Sequence, residues 1–151
     1  GMLLSLAAMA RYRLRGAEGI NLAPSAHWPS PTRYGLPSAQ LKQFIDGTGG
    51  LWASGALVNK VCSSFTSTGT SHGGQETTLI NLNTTFYHWG AIIVAPGYAD
   101  PIQFQSGNPY GTSFTSNNGA LKPDETALAA ARFQGRRVAE VAALIASGGG
   151  K

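Results

Sequence analysis

The chain has 151 residues, the size of one domain. Charged residues make up 12 %, about half the usual share, yet an apolar fraction of 42 % supplies a core and excludes disorder as the main state. The formal net charge of +4 sits mostly in Arg11, Arg13 and Arg15 and in Arg132, Arg136 and Arg137. A nucleic-acid binder would usually interleave such charge with aromatics along a groove; here solvated faces and no nucleic-acid partner are expected.

Residues 1–29 suggest no regular strand. Residues 3–14 form a short amphipathic stretch, and its apolar start is a poor signal segment because the positive charges follow it. Pro24, Pro29 and Pro31 then interrupt any element. Pro37 suits the first turn of a helix in which Leu41, Phe44 and Ile45 fall at i, i+3, i+4, and Gly47 ends it. Gly49-Gly50-Leu51-Trp52 is expected as loop. Residues 60–67, small and β-prone, predict a buried strand that runs into Thr68-Gly69-Thr70-Ser71-His72-Gly73-Gly74. Leu79, Leu82, Phe86 and Trp89 predict a second helix closed by Gly90. Ala91-Ile92-Ile93-Val94-Ala95 reads as a strand covered on both faces. Residues 97–122 carry no periodicity. Pro123 and Asp124 open a last helix with Leu128, Ala131, Gly135, Val138, Ala142 and Ile145 down one face.

Strands alternating with helices predict a parallel α/β sheet, with ligand loops beyond the carboxyl ends of its strands. Residues 67–74 occupy such a position. Their hydroxyls, glycines and amide N–H groups at a helix start suit a flat polar heterocycle or an anion; the plain alternative is a flexible connection. Gly69-Thr70-Ser71-His72-Gly73 also fits the G-x-S-x-G elbow of serine hydrolases. That triad needs a histidine after its acid, and none of His27, His72 and His88 follows Asp100, while Glu76 shares a helix with His88. The three histidines and Cys62 have no metal-ligand spacing, so no metal is expected. His88 falls on the polar side of its helix, and Trp52 either packs or stacks on a planar ligand. The single cysteine forms no internal disulfide, which favours a reducing, cytoplasmic setting. No apolar run approaches the ~20 residues of a membrane span.

From Pro31 onward the chain resembles the WrbA-type (tryptophan-repressor-binding-protein) family. The residues that carry the likeness are Ser30-Pro31-Thr32-Arg33-Tyr34-Gly35, residues 40–55 with Thr48-Gly49-Gly50-Leu51-Trp52, Ser67-Thr68-Gly69-Thr70 and Gly73-Gly74-Gln75-Glu76. His88-Trp89-Gly90, Pro96-Gly97-Tyr98, Gly107-Asn108-Pro109-Tyr110-Gly111 and Ala131-Arg132-Phe133-Gln134-Gly135 continue it in order.

The resemblance implies a flavodoxin-like, doubly wound parallel sheet with helices on both faces, and an FMN-dependent NAD(P)H:quinone oxidoreductase working by two-electron, ping-pong hydride transfer. It implies that Thr32, Arg33 and Tyr34 form one flavin loop and that Ser67, Thr68, Gly69, Thr70, Ser71, His72 and Gly73 form a second. His88 would lie beside the flavin as the catalytic proton donor, and Trp52 would line the substrate pocket near a subunit boundary. NADH or NADPH would be the donor, a quinone the acceptor, and the protein a homo-oligomer, tetramer or dimer. Residues 1–29 would be an atypical segment, with residues 30–151 forming the C-terminal part of the domain. The family's N-terminal half, with its phosphate loop, has no counterpart, so the chain is expected to be N-terminally truncated. The alternative is a flavin-free remnant acting as an oligomerisation or interaction module.

Overall fold

The computed structural model describes residues 25–148, with side chains from residue 30 onward. The expectations for residues 1–24 lie outside the described residues. Strand β1 (Ser25–Arg33) turns into the two-residue β2 (Leu36–Pro37), followed by helices α1 (Ala39–Asp46) and α2 (Gly49–Ala53). Strand β3 (Val61–Thr68), helix α3 (Gln75–His88) and strand β4 (Ile92–Ile93) come next. A short helix α4 (Ile102–Ser106), strand β5 (Ser113–Thr115) and the long α5 (Glu125–Ser147) complete the order.

The sheet runs β2-β1-β3-β4. β3 is parallel to β1, β4 and β5, and among the described residues only the β1–β2 hairpin is antiparallel. β1 takes residues 61–67 of β3 on one side, so β4 and β5 lie end to end on the other.

Alternation along β3 assigns each of its faces to one helix. Cys62 packs with Leu57, Phe86 and Trp89 on the α3 side. Its neighbour Val61 packs with Val94, Val138 and Ala142 on the α5 side. Ser63 and Ser64 continue the pattern: Ser63 bonds Gln134 of α5, and Ser64 donates to Asn83 Oδ1 of α3 at 3.0 Å. Helices therefore cover both faces, and the sheet and helices have the expected flavodoxin-like α/β architecture.

Four local expectations are corrected. β1 forms despite Pro29 and Pro31, and it runs through residue 29, where an atypical segment was expected to end. Prolines are accommodated because β1 exchanges its long ladder only with β3 among the described residues, as an edge strand does. Gly49 to Ala53 is a helical turn, with Trp52 N–H bonded to Thr48 O at 3.0 Å, and not a loop. Residues 97–122 contain α4 and β5. The buried stripe of α5 starts on Ala127, Ala130 and Gln134 and joins the expected face only at Val138 and Ala142; Leu128 and Ala131 are exposed. Asp124 does cap α5, its side chain accepting from Ala127 N at 2.8 Å.

Burial pushes the Cys62 thiol up to about 12. A thiol whose folded value is raised stabilises the fold below its ordinary value near 9, and that contribution is lost as pH rises towards 12. Thermal stability is therefore expected to decline across this alkaline window, with a smaller decline in Cys62→Ala. A thiol-specific disulfide reagent should leave native Cys62 untouched at neutral pH and react once denaturant unfolds the chain. Rapid labelling of the native protein would contradict the burial.

Candidate functional site

Two loops meet beyond the carboxyl ends of β1 and β3. The first is the hairpin turn at Tyr34 and Gly35, whose φ angles of 53° and 76° match the two positive values of a type I′ turn. The turn projects Tyr34 fully into solvent. Arg33 is exposed, its Nη1 donating to Thr32 O at 3.1 Å.

The second loop, residues 69–74, is tied from behind and open in front. Thr68 Oγ1 donates to Thr70 O at 2.7 Å, and Gly73 N closes the same carbonyl at 3.1 Å. Gln75 Nε2 donates to Thr68 Oγ1 at 2.8 Å and to Thr115 Oγ1 at 3.0 Å, joining the loop to β5. Ser116 N and Asn118 N bond the carbonyls of Thr68 and Gly69. The N–H groups of Thr70, Ser71 and His72, by contrast, have no hydrogen-bond partner among the described residues. α3 begins immediately beyond, at Gly74, with no side-chain cap on its first turn.

Glycine is required where the loops touch. A Cβ on Gly74 would lie 2.6 Å from Gly35 Cα and 2.9 Å from Thr77 Oγ1, and Gly74 itself has φ +85°. A Cβ on Gly73 would lie 2.7 Å from Thr68 Cβ. The loop carrying Thr32, Arg33 and Tyr34 and the loop carrying Ser67, Thr68, Gly69, Thr70, Ser71, His72 and Gly73 thus meet at Gly35 and Gly74.

Trp52 and His88 are grouped elsewhere. Trp52 Nε1 donates to His88 O at 2.9 Å, and both side chains are exposed. With Ile45, Asp46, Thr48, Gly49 and Trp89 they line a shallow, open groove of about 220 Å³. His88 is the last residue of the 14-residue α3, so the helix carries it ~20 Å from the loop at the other end. Within one chain, the expected place of His88 beside the loops is not met. Ser71 is exposed without a hydrogen-bonded histidine, so the elbow motif has no assembled triad. Among the described residues no group of three His, Cys, Asp or Glu side chains gathers to hold a metal.

Gln75, Thr78 and Asn118 hold the loops together, and none of them was expected as a site residue from sequence. The one available sign was Thr78, a hydroxyl in the buried stripe of α3 next to Leu79. As a cofactor site, the loops offer free backbone donors along an open edge, matching the carbonyl and ring-nitrogen rim of a flavin. Arg33 is the one cation on residues 30–38 and 67–78, so these loops fit the ring better than its phosphate.

A parallel α/β sheet with its loops gathered beyond the strand ends places the chain among the open, doubly wound α/β folds. No family model matches the chain. It is 44 % identical over 123 residues to an NAD(P)H dehydrogenase (quinone) of Chromohalobacter salexigens, covering 78 % of the chain and 61 % of that protein. It is 49 % identical over 121 residues to one from Sinorhizobium fredii, covering 76 % and 61 %. The crystal structure of a flavodoxin, WrbA-like protein from Agrobacterium tumefaciens superposes with a TM-score of 0.67 at 27 % identity, covering 82 % of this chain and 68 % of that one. The chain is homologous to these proteins, and it spans 61 % of the length of the curated relatives. Among the described residues no helix is long and apolar enough to cross a membrane.

Proposed function

We propose that the chain acts as an FMN-dependent NAD(P)H:quinone oxidoreductase. The observation that carries this reading is the row of N–H groups at Thr70, Ser71 and His72 without a partner among the described residues, in the exposed loop that meets the Tyr34 turn at Gly35 and Gly74. The names of the relatives, NAD(P)H dehydrogenase (quinone), supply the reaction class. FMN, when bound, supplies a two-electron carrier that takes hydride from NAD(P)H and yields it to a quinone in a second, ping-pong half-reaction.

The chain's own residues then have distinct tasks. The Thr70, Ser71 and His72 amides would hold the flavin rim by donating to it, and these donors with the uncapped start of α3 would favour an electron-rich ring. Arg33 and Tyr34 border the same edge. Trp52 stacks on a planar quinone, and His88 donates a hydrogen bond from its ring to a quinone oxygen, as the proposed proton donor. Since the pair sits ~20 Å from the loops, that role requires a second copy of the chain, and a homo-oligomer, dimer or tetramer, is part of the proposal. The buried, unpaired Cys62 supports a cytoplasmic setting.

Quenching of flavin fluorescence on titration of FMN with the protein tests the reading. Saturable binding at micromolar concentration or tighter, with NAD(P)H-dependent reduction of benzoquinone by the reconstituted protein, is expected. Absence of saturation would overturn it and leave the flavin-free, oligomerising module as the description.

A further inference from the structure

We propose that Thr78 is a positioning residue that locks the two loops into one rigid cradle through a one-way chain of hydroxyls. Its effect on cofactor affinity rests on the flavin reading above; the coupling of the loops does not. Thr78 is fully buried on α3, and its Oγ1 lies 3.0 Å from Thr32 Oγ1. Thr32 Oγ1 lies 2.9 Å from Thr66 Oγ1, and Thr66 Oγ1 donates to Ser30 O at 2.6 Å.

Each hydroxyl has one proton, which fixes the direction of the chain. Thr66 spends its proton on the Ser30 carbonyl, so the Thr32–Thr66 bond is donated by Thr32. Thr32 must then accept from Thr78. Thr78 also lies 2.9 Å from Gly74 O, but that carbonyl already accepts from Thr78 N at 3.1 Å and Thr77 Oγ1 at 3.0 Å. The Thr78 proton is therefore released to Thr32. Helix α3, which begins at the second loop, is thereby bonded to the strand that leads into the first. Ser30 Oγ extends the tie, accepting from Ser38 N at 2.9 Å where the hairpin returns.

Two consequences distinguish this arrangement from ordinary packing. The Thr32 hydroxyl is spent inward, so at a ligand Thr32 acts through its main chain. The link is a hydroxyl function, so serine at position 78 preserves it and isosteric valine does not.

Amide hydrogen exchange on the cofactor-free protein is the direct test, with Thr78→Val, Thr78→Ser and Thr66→Val compared with the parent. Valine at either position should speed exchange at residues 33–38 and 73–78 by about tenfold or more, the effect of one buried acceptor left unpaired. Exchange in α5 should be unaltered, and Thr78→Ser should match the parent. FMN affinity should fall about tenfold in both valine variants and be preserved in Thr78→Ser. Unchanged exchange at the hairpin in Thr78→Val, or an equal effect of serine and valine, would overturn the proposal. Failure of the parent chain to bind FMN would overturn the functional reading alone, because the exchange comparison is made without flavin. A global rise in exchange in Thr78→Val with none in Thr66→Val would reduce Thr78 to a packing residue and also overturn it.

Discussion

Replacing Gln134 with leucine is expected to destabilise the fold by about 2–5 kcal/mol, the largest effect of any single polar side chain among the described residues. Gln134 is buried on α5 and makes three bonds that converge from separate parts of the chain. Its Nε2 donates to Ser63 Oγ at 2.5 Å and Ser64 O at 2.8 Å, and its Oε1 accepts from Thr112 N at 2.7 Å. The side chain thus pins α5, the centre of β3 and the strap that enters β5. Leucine has nearly the same volume but strands the Thr112 N–H and the Ser64 carbonyl contact in a dry interior, where each costs about 1–3 kcal/mol. Ser63 retains its own bond, donating to Val94 O at 2.8 Å. The strap packs directly on β3 at Gly111, where an added Cβ would come within 2.3 Å of Ser64 O. Urea unfolding checks this: Gln134→Leu should lose most of its midpoint, whereas Gln105→Leu, on the exposed side of α4, should stay within about 0.5 kcal/mol of the parent.

Gly74→Ala is expected to produce the second large effect, at the candidate site itself. A left-handed conformation costs a side chain about 1–2 kcal/mol. At Gly74, with φ +85°, the added methyl would also sit 2.6 Å from Gly35 Cα, a backbone atom with no rotamer to escape into. Overpacking of this kind adds about 1–3 kcal/mol unless the loops separate. The two loops are thus expected to part, with loss of thermal stability and, on the flavin reading, of FMN affinity. Gly50→Ala, on α2 with nothing within 4 Å of its added methyl, is the matched control and should be neutral or slightly stabilising. Equal melting temperatures and affinities for the Gly74 and Gly50 variants would contradict the contact.

The parts of the fold that were legible share a physical cause. α3 and β3 bury continuous rows of apolar or small residues, and burial of that kind leaves its period in the sequence. β1 left no such mark, because Pro29 and Pro31 read as breakers where an edge strand tolerates them. β5 has only 3 residues, too few for alternation to register. The first half of α5 misled because its buried stripe is alanine and glutamine: Gln134 is held inside by three hydrogen bonds, a property of the assembled fold and not of side-chain polarity. At the site, the glycines and hydroxyls of residues 67–74 were visible as a candidate loop. Three of their supports, Thr115, Ser116 and Asn118, lie 40 residues or more away along the chain and carried no local pattern. The separation of His88 from the loop follows from the length of α3, which the periodicity had already outlined.

On the proposed function, a flavin rim would lie on the Thr70, Ser71 and His72 amides, against the Tyr34 turn. Amide-resolved nuclear magnetic resonance during an FMN titration tests it most directly. Saturating shifts concentrated at residues 33–36 and 69–75, with α5 unmoved, are expected. Saturating shifts that avoid these loops, or no shifts at millimolar FMN, would contradict it.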